Sequence, residues 1–194
     1  MKKKNERNTK GRIISAAWKL FYEQGYDDTT IEDIIFESGT SKGSFYHYFD
    51  GKDALLSSLS FLFDEQYESL GKSMPDGMSA FEKLIYINSK VFLFIENTVP
   101  IELLSRLLSS QLVTKGEKHL LDYDRTYYKL LRRIIAEGQE RGELRDDLPV
   151  NELVKDYALC ERAMMYDYCI CEGNYSLCAY SGSNLPRFIS FFKK

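Results

Sequence analysis

Apolar residues recur with a helical period along nearly the whole chain, and no alternation of period two is sustained. The first stripe is Ile13, Ala17, Leu20 and Phe21, at i, i+4, i+7 and i+8. It predicts a helix over 10–24, with Thr9 at its N-cap and Gly25 just past its end. Thr30 opens a second helix, where Asp33 completes a capping box, Ile31, Ile34 and Ile35 face inward, and Gly39 stops the run. Only Thr40 and Ser41 separate it from a short third helix, Lys42–Tyr48, with Ser41 as N-cap. A longer fourth helix follows, capped by Asp50 with Asp53 at N3, and runs to about Leu70.

The turn-rich stretch Gly71–Gly77 marks a change of character. Four more helical stretches follow at 78–97, 100–113, 120–141 and 149–172, with Pro100 at a first helical position and Gly116 and Pro149 in the gaps. Val150–Cys171 is apolar nearly all the way round, so it must be covered on several sides. A loop over 172–183 leads to a short closing helix carrying Leu185, Phe188, Ile189, Phe191 and Phe192. The pattern predicts an all-α fold of about nine helices: a small three-helix domain at residues 1–51 and a helical bundle at 52–194.

Charge refines this picture. A net charge of −3 argues against a general polyanion binder, yet Lys2, Lys3, Lys4, Arg7, Lys10 and Arg12 crowd the first twelve residues against Glu6 alone. Such a basic arm on an acidic chain points to local contact with an anion. No apolar run follows the lysines and none reaches about 18 residues, so the expectation is a cytoplasmic protein with no membrane span. Cys160 and Cys171 would share a helix face roughly 16 Å apart, Cys169 would point to the other side, and C-x₂-C spacing is absent. Free thiols and no metal are expected; a redox pair of Cys171 and Cys178 across a turn is the alternative. The chain has no G-x-S-x-G, P-loop, H-E-x-x-H or G-x-G-x-x-G, so neither an enzyme nor a cofactor is expected.

The second and third helices, joined by a tight turn with Gly39, make a helix-turn-helix pattern. Such a pair places the N-terminus of its second helix against base edges in the major groove of double-stranded DNA. The residues there are Ser41, Lys42, Gly43 and Ser44: an amine for guanine, hydroxyls that donate or accept, and a glycine that lets the backbone come close. Thr30, Tyr46, His47, Tyr48 and Lys52 supply hydroxyls, an imidazole and an amine of the kinds that clamp phosphates. A helical adaptor that does not bind DNA would leave this cluster unexplained.

Residues 12–56 resemble the N-terminal domain of TetR-type transcriptional regulators, through Ile14, Ala17, Leu20, Phe21, Gly25, Tyr26, Thr29, Thr30, Ile31, Ile34, Gly39, Ser41, Lys42, Gly43, Tyr46, Tyr48, Phe49, Lys52 and Leu55. Phe36 and Thr40 depart from that pattern, which usually has Ala and Val, and Phe36 implies altered packing of the first helix on the second. The resemblance implies a homodimer on a palindromic operator, with repression as the common mode of such families. It also implies release by a small-molecule effector held in the C-terminal bundle. Carried over, it puts Leu153, Tyr157, Met164, Tyr168, Phe188 and Phe191 at the dimer interface. The aromatic and Met residues Tyr86, Phe92, Phe94, Tyr123, Tyr127, Tyr157 and Met164 are then candidates to line the effector pocket, joined by Tyr128 and Met165.

Overall fold

The computed structural model describes residues 2–56, 58–113 and 118–194, with side chains from residue 9 onward except at 59 and 61. The predicted Gly116 break and the side chains of Lys2, Lys3, Lys4 and Arg7 therefore lie outside the described residues. The described residues form ten α-helices: α1 Lys2–Gln24, α2 Ile31–Ser38, α3 Lys42–Tyr48, α4 Lys52–Leu56, α5 Leu59–Ser73, α6 Ala80–Thr98, α7 Ile101–Val113, α8 Thr126–Glu140, α9 Val150–Ile170 and α10 Leu177–Phe188. Short 3₁₀ turns occupy His119–Leu121 and Ser190–Phe192. The fold class is all-α, as the periodicity predicts. The chain divides into two compact units, Met1–Phe61 with Glu102–Lys115, and Leu62–Ile101 with Gly116–Lys194.

In the first unit the predicted stripe of α1 faces inward: Ile13, Ala17 and Phe21 are buried along with Ile34, Phe45, Phe49 and Leu55. The helix begins at Lys2, so Thr9 lies inside it and does not cap it; straight-chain Lys, Glu and Arg residues favour that extension. Both halves of the capping box on α2 form, with the Asp33 N–H on the Thr30 hydroxyl and the Thr30 N–H on the Asp33 carboxylate. Gly39 takes the left-handed conformation that closes α2, at φ 59°. The Arg12 guanidinium donates to the carbonyls of Ser38 and Gly39, supplying donors to the acceptors at that helix end. Phe36 does not alter the packing of α1 on α2: it is 88% exposed, on the outer face of α2.

The fourth helix is not continuous. Ser58 donates both its N–H (2.9 Å) and its hydroxyl (2.5 Å) to the Leu55 carbonyl, and the indole N–H of Trp18 donates to the Ser58 hydroxyl at 2.8 Å. A serine hydroxyl that competes for backbone acceptors disfavours the regular ladder, and here the chain separates into α4 and α5. Asp50 lies in an exposed bend, and the Asp53 carboxylate accepts from the Tyr26 hydroxyl.

In the second unit α6 packs on α8 and α10, and α9 packs on both α8 and α10. Ser79 and Glu82 form a second capping box at the start of α6. The helix predicted over 120–141 starts only at Thr126, where Asp64 of α5 accepts from the Tyr127 N–H (3.2 Å) and the Arg125 guanidinium (2.9 Å). The segment read as a loop over 172–183 is largely helical, because the Ser176 hydroxyl caps α10 and Leu177, Ser181 and Leu185 bury one stripe at i, i+4 and i+8. Leu144, within the polar connection after α8, is fully buried and bridges Lys193 in antiparallel fashion.

Gly138 of α8 marks the closest approach in this unit. A Cβ there would meet the Ala80 Cβ at 2.4 Å and Leu144 at 2.8 Å. Gly138→Ala, normally favourable inside a helix, is expected to destabilise the protein by about 1–3 kcal/mol through overpacking. A urea midpoint equal to or above wild type would contradict this reading of the contact.

Candidate nucleic-acid interface and effector cavity

The reading head predicted from the sequence is presented as a surface. Ser41, Lys42 and Gly43 are exposed at the N-terminus of α3, and the Ser44 N–H donates to the Ser41 hydroxyl at 3.1 Å. The two serine hydroxyls share a further hydrogen bond at 2.9 Å. Lys42 stands 3.4 Å from Glu32 of α2 in a pair open to water, which holds it only weakly. Tyr46 and His47 are exposed along the same helix, and Tyr48 is half-buried with its ring edge-on to His47. Phe45 and Phe49, in contrast, are buried and anchor α3 to its unit. The Thr30 hydroxyl is exposed but donates to Asp33 at 2.6 Å, and that bond holds the Asp33 carboxyl below the usual carboxylate range.

Lys52 is employed differently from the phosphate role expected of it. Its ammonium donates to the carbonyls of Tyr26 (2.6 Å), Asp27 (3.3 Å) and Thr29 (2.8 Å), and sits 4.3 Å from the Tyr26 ring centre. An ammonium has three N–H donors, so all three are engaged in tying the α1–α2 loop to α4. A second cation beside Tyr26 is Arg106 of α7, with its guanidinium carbon 4.9 Å from the ring centre and an ion pair to Asp27. Burial, reinforced by the bond to Asp53, pushes the Tyr26 phenol far above its ordinary range. Neither Tyr26 nor Arg106 stands out in sequence as a partner of the other, because a contact between residues so far apart along the chain leaves no local signal. Lys52→Met is expected to cost about 1.5–3 kcal/mol, the value of hydrogen bonds to a charged group. Unfolding monitored at Trp18, the single tryptophan, reads this unit directly; an unchanged midpoint would remove the structural role.

The aromatic candidates for an effector pocket scatter. Phe92, Tyr157 and Met164 are buried core, Tyr86 and Phe94 are half-buried, and Tyr123 is exposed against the ring of Tyr128. Tyr127 does line a small, half-open pocket, with about 40 Å³ open to the centre of a water molecule. Phe63, Leu120, Ala158 and Met165 form its apolar walls, and Tyr67, Arg125, Glu161 and Arg162 its polar ones. Of these, periodicity alone singles out neither Tyr67 nor Glu161.

Glu161 is 2% exposed, on a helix face otherwise made of Val154, Tyr157, Ala158 and Met164. One carboxylate oxygen accepts from the Tyr127 hydroxyl (2.6 Å) and the other from the Asn88 amide (2.8 Å). The Asn88 oxygen accepts in turn from the Ser181 hydroxyl. Burial pushes the Glu161 carboxyl above its ordinary range, and these hydrogen bonds oppose the shift without cancelling it. The chain α8–α9–α6–α10 thus has a polar seam through its interior.

The dimer candidates need a correction. Leu153, Tyr157, Met164 and Tyr168 are buried within their own chain, so no second copy can cover them. Phe188 and Phe191 are exposed as expected, and the outer face of α9 offers Leu159 and Ile170 instead. No helix among the described residues is long and apolar enough to cross a membrane.

Comparison with known proteins agrees with this architecture. The family described as "Bacterial regulatory proteins, tetR family" matches residues 13–59, the stretch from α1 to the start of α5. An uncharacterized HTH-type transcriptional regulator in the lacX 3' region of Lactococcus lactis subsp. lactis is 52% identical over 48 residues, 25% of this chain and 24% of that protein. The match therefore spans about a quarter of the length of that relative. The fatty acid metabolism regulator protein of Bacillus subtilis (strain 168) is 27% identical over 143 residues, 72% of each chain. The crystal structure of Thermus thermophilus FadR, a TetR family transcriptional repressor in complex with lauroyl-CoA, superposes with a TM-score of 0.75 over 95% of both chains at 20% identity. The helix-turn-helix geometry and the matched N-terminal stretch thus agree: residues 13–59 are similar to the tetR family of bacterial regulatory proteins, and the whole chain shares its fold with the Thermus thermophilus protein.

Proposed function

We propose that the chain is a ligand-responsive transcriptional regulator acting as a repressor. A homodimer would place two α3 helices in successive major-groove segments of a palindromic operator. A small molecule bound in the second unit would favour a dimer geometry whose half-site spacing no longer fits. The observation that carries this reading is the open N-terminus of α3, where Ser41, Lys42, Gly43 and Ser44 lie free of the core that Phe45 and Phe49 secure. Tyr46, His47, Tyr48 and the exposed edge of Thr30 supply the flanking phosphate contacts in this reading. Leu159 and Ile170 of α9, with Tyr180 and Phe188 of α10, are the exposed apolar residues assigned to the dimer contact.

For the effector we propose an acyl thioester of coenzyme A. The similar Thermus thermophilus FadR is a complex with lauroyl-CoA. Here Tyr67 lines both the small pocket and an open groove of about 350 Å³, where Lys72 is paired with Glu68, and Lys129 and Arg133 leave a net basic border suited to phosphates. Selection of bound duplexes from a random library tests the whole reading, and should return a palindrome. Affinity for that duplex should fall about 10³–10⁵-fold between 50 and 200 mM salt if six to ten phosphates are contacted. A thioester should then release the duplex. Recovery of no preferred sequence would overturn the operator reading.

A further inference from the structure

We propose that the small pocket lined by Tyr67, Tyr127 and Glu161 receives the acyl end of the effector and selects a short acyl group ending in a hydroxyl over a long saturated chain. This rests on the thioester reading above. Space is the first argument: about 40 Å³ for water centres holds on the order of three waters, so a lauroyl chain cannot be buried within it and most of its length would stay outside. Lengthening the cavity inward would break the seam of Tyr127, Glu161, Asn88 and Ser181. Buried polar groups left without partners make that extension costly.

The second argument is the chemistry of the walls. Tyr67 is 7% exposed overall, and its hydroxyl makes no hydrogen bond to a described residue and is not sealed from solvent, so a ligand can reach it. It is a donor and acceptor held beside a carboxyl group in a small, half-open pocket. Glu161 has accepted one hydrogen bond at each oxygen and retains further acceptor capacity. A ligand carboxylate at this end would meet Glu161, and a ligand ammonium would meet Arg125 and Arg162. Arg125 is already held by Asp64 at 2.9 Å, so it does not offer an uncompensated charge to an anion. A neutral hydroxyl satisfies both sides, donating to Glu161 and accepting from Tyr67. Phe63, Ala158 and Met165 then cover the few carbons between that hydroxyl and the thioester.

The test is titration calorimetry of the full chain with coenzyme A, butyryl-, 3-hydroxybutyryl- and lauroyl-CoA. The hydroxylated thioester is expected to bind about tenfold tighter than butyryl-CoA, one net hydrogen bond, with lauroyl-CoA the weakest of the three. Tyr67→Phe removes a hydroxyl that bonds to no described residue, so its melting temperature should stay at the wild-type value while the hydroxyl preference shrinks towards parity. Glu161→Gln, which keeps the shape of the floor, should reduce the same preference. Lauroyl-CoA binding more tightly than butyryl-CoA, or a hydroxyl preference undiminished in Tyr67→Phe, overturns the inference and leaves the thioester reading standing. Thioesters that all bind no better than coenzyme A overturn both.

Discussion

Gly43→Leu is expected to abolish specific operator binding while leaving the protein folded. Glycine inside a helix costs about 1 kcal/mol relative to alanine, so its presence at the second position of α3 asks for a reason. The fold does not supply one. Gly43 is exposed, its backbone is ordinary right-handed helix, and a Cβ there would meet only the Ser41 hydroxyl at 4.0 Å. In the proposed reading the reason lies outside the chain, at the groove that α3 would approach. A leucine side chain would hold the helix off the groove and pull Lys42 and Ser44 away from the base edges together. Losing two such contacts at ~1–3 kcal/mol each amounts to roughly 30-fold to 2 × 10⁴-fold in affinity. Gly43→Ala separates the two effects, because it should raise the melting temperature slightly and weaken binding far less. Fluorescence anisotropy on the selected duplex, with thermal unfolding alongside, reads both. A leucine variant that binds like wild type would remove α3 from the interface.

Glu161→Leu should destabilise the chain by about 2–5 kcal/mol, from the Tyr127 hydroxyl and the Asn88 amide each left buried without an acceptor. Adding Tyr127→Phe removes one of those orphans, so the double variant should recover part of the loss. The pH dependence distinguishes a lost charge from a lost bond. The folded-state carboxyl titrates above its ordinary value of 4.5, so between the two values the folded state binds the more protons. Its contribution to stability is therefore fully present below pH 4.5 and declines as the pH rises through the folded-state value. Glu161→Gln keeps an acceptor and cannot ionise, and the rotating Tyr127 hydroxyl can serve either end of the amide. The glutamine variant should lose this part of the pH slope and compare most favourably with wild type at neutral pH. Urea unfolding followed by far-ultraviolet circular dichroism across pH 4 to 8 measures it; parallel pH profiles for the two proteins would show that Glu161 does not titrate in that range.

The order of the helices was legible wherever chemistry is local. Capping boxes at Thr30 and Ser79, the Ser41 cap and the Gly39 stop act within one turn of the chain, so the residues alone place α2, α3 and α6 well. The same holds for the separation of Phe45 and Phe49, which pack, from Ser41, Lys42, Gly43 and Tyr46, which do not. The errors have distant causes. The fourth helix separates into two because Trp18, forty residues upstream, holds the Ser58 hydroxyl. Likewise α8 starts late, where Asp64 of α5 receives its first turn.

By itself, then, the sequence determined an all-α chain with a helix-turn-helix and a defined set of outward residues on its second helix, because helix period, caps and turns are properties of neighbours. Only the tertiary structure decided what the charged and aromatic residues of the rest are for. Lys52 turned from a phosphate anchor into the tie of a loop, and four apolar residues of α9 turned from an interface into core. Glu161 and Tyr67 emerged as the walls of a cavity. Each of those roles depends on which groups from other helices crowd around a side chain, and burial and pairing of that kind are set by packing between segments, not by spacing along one.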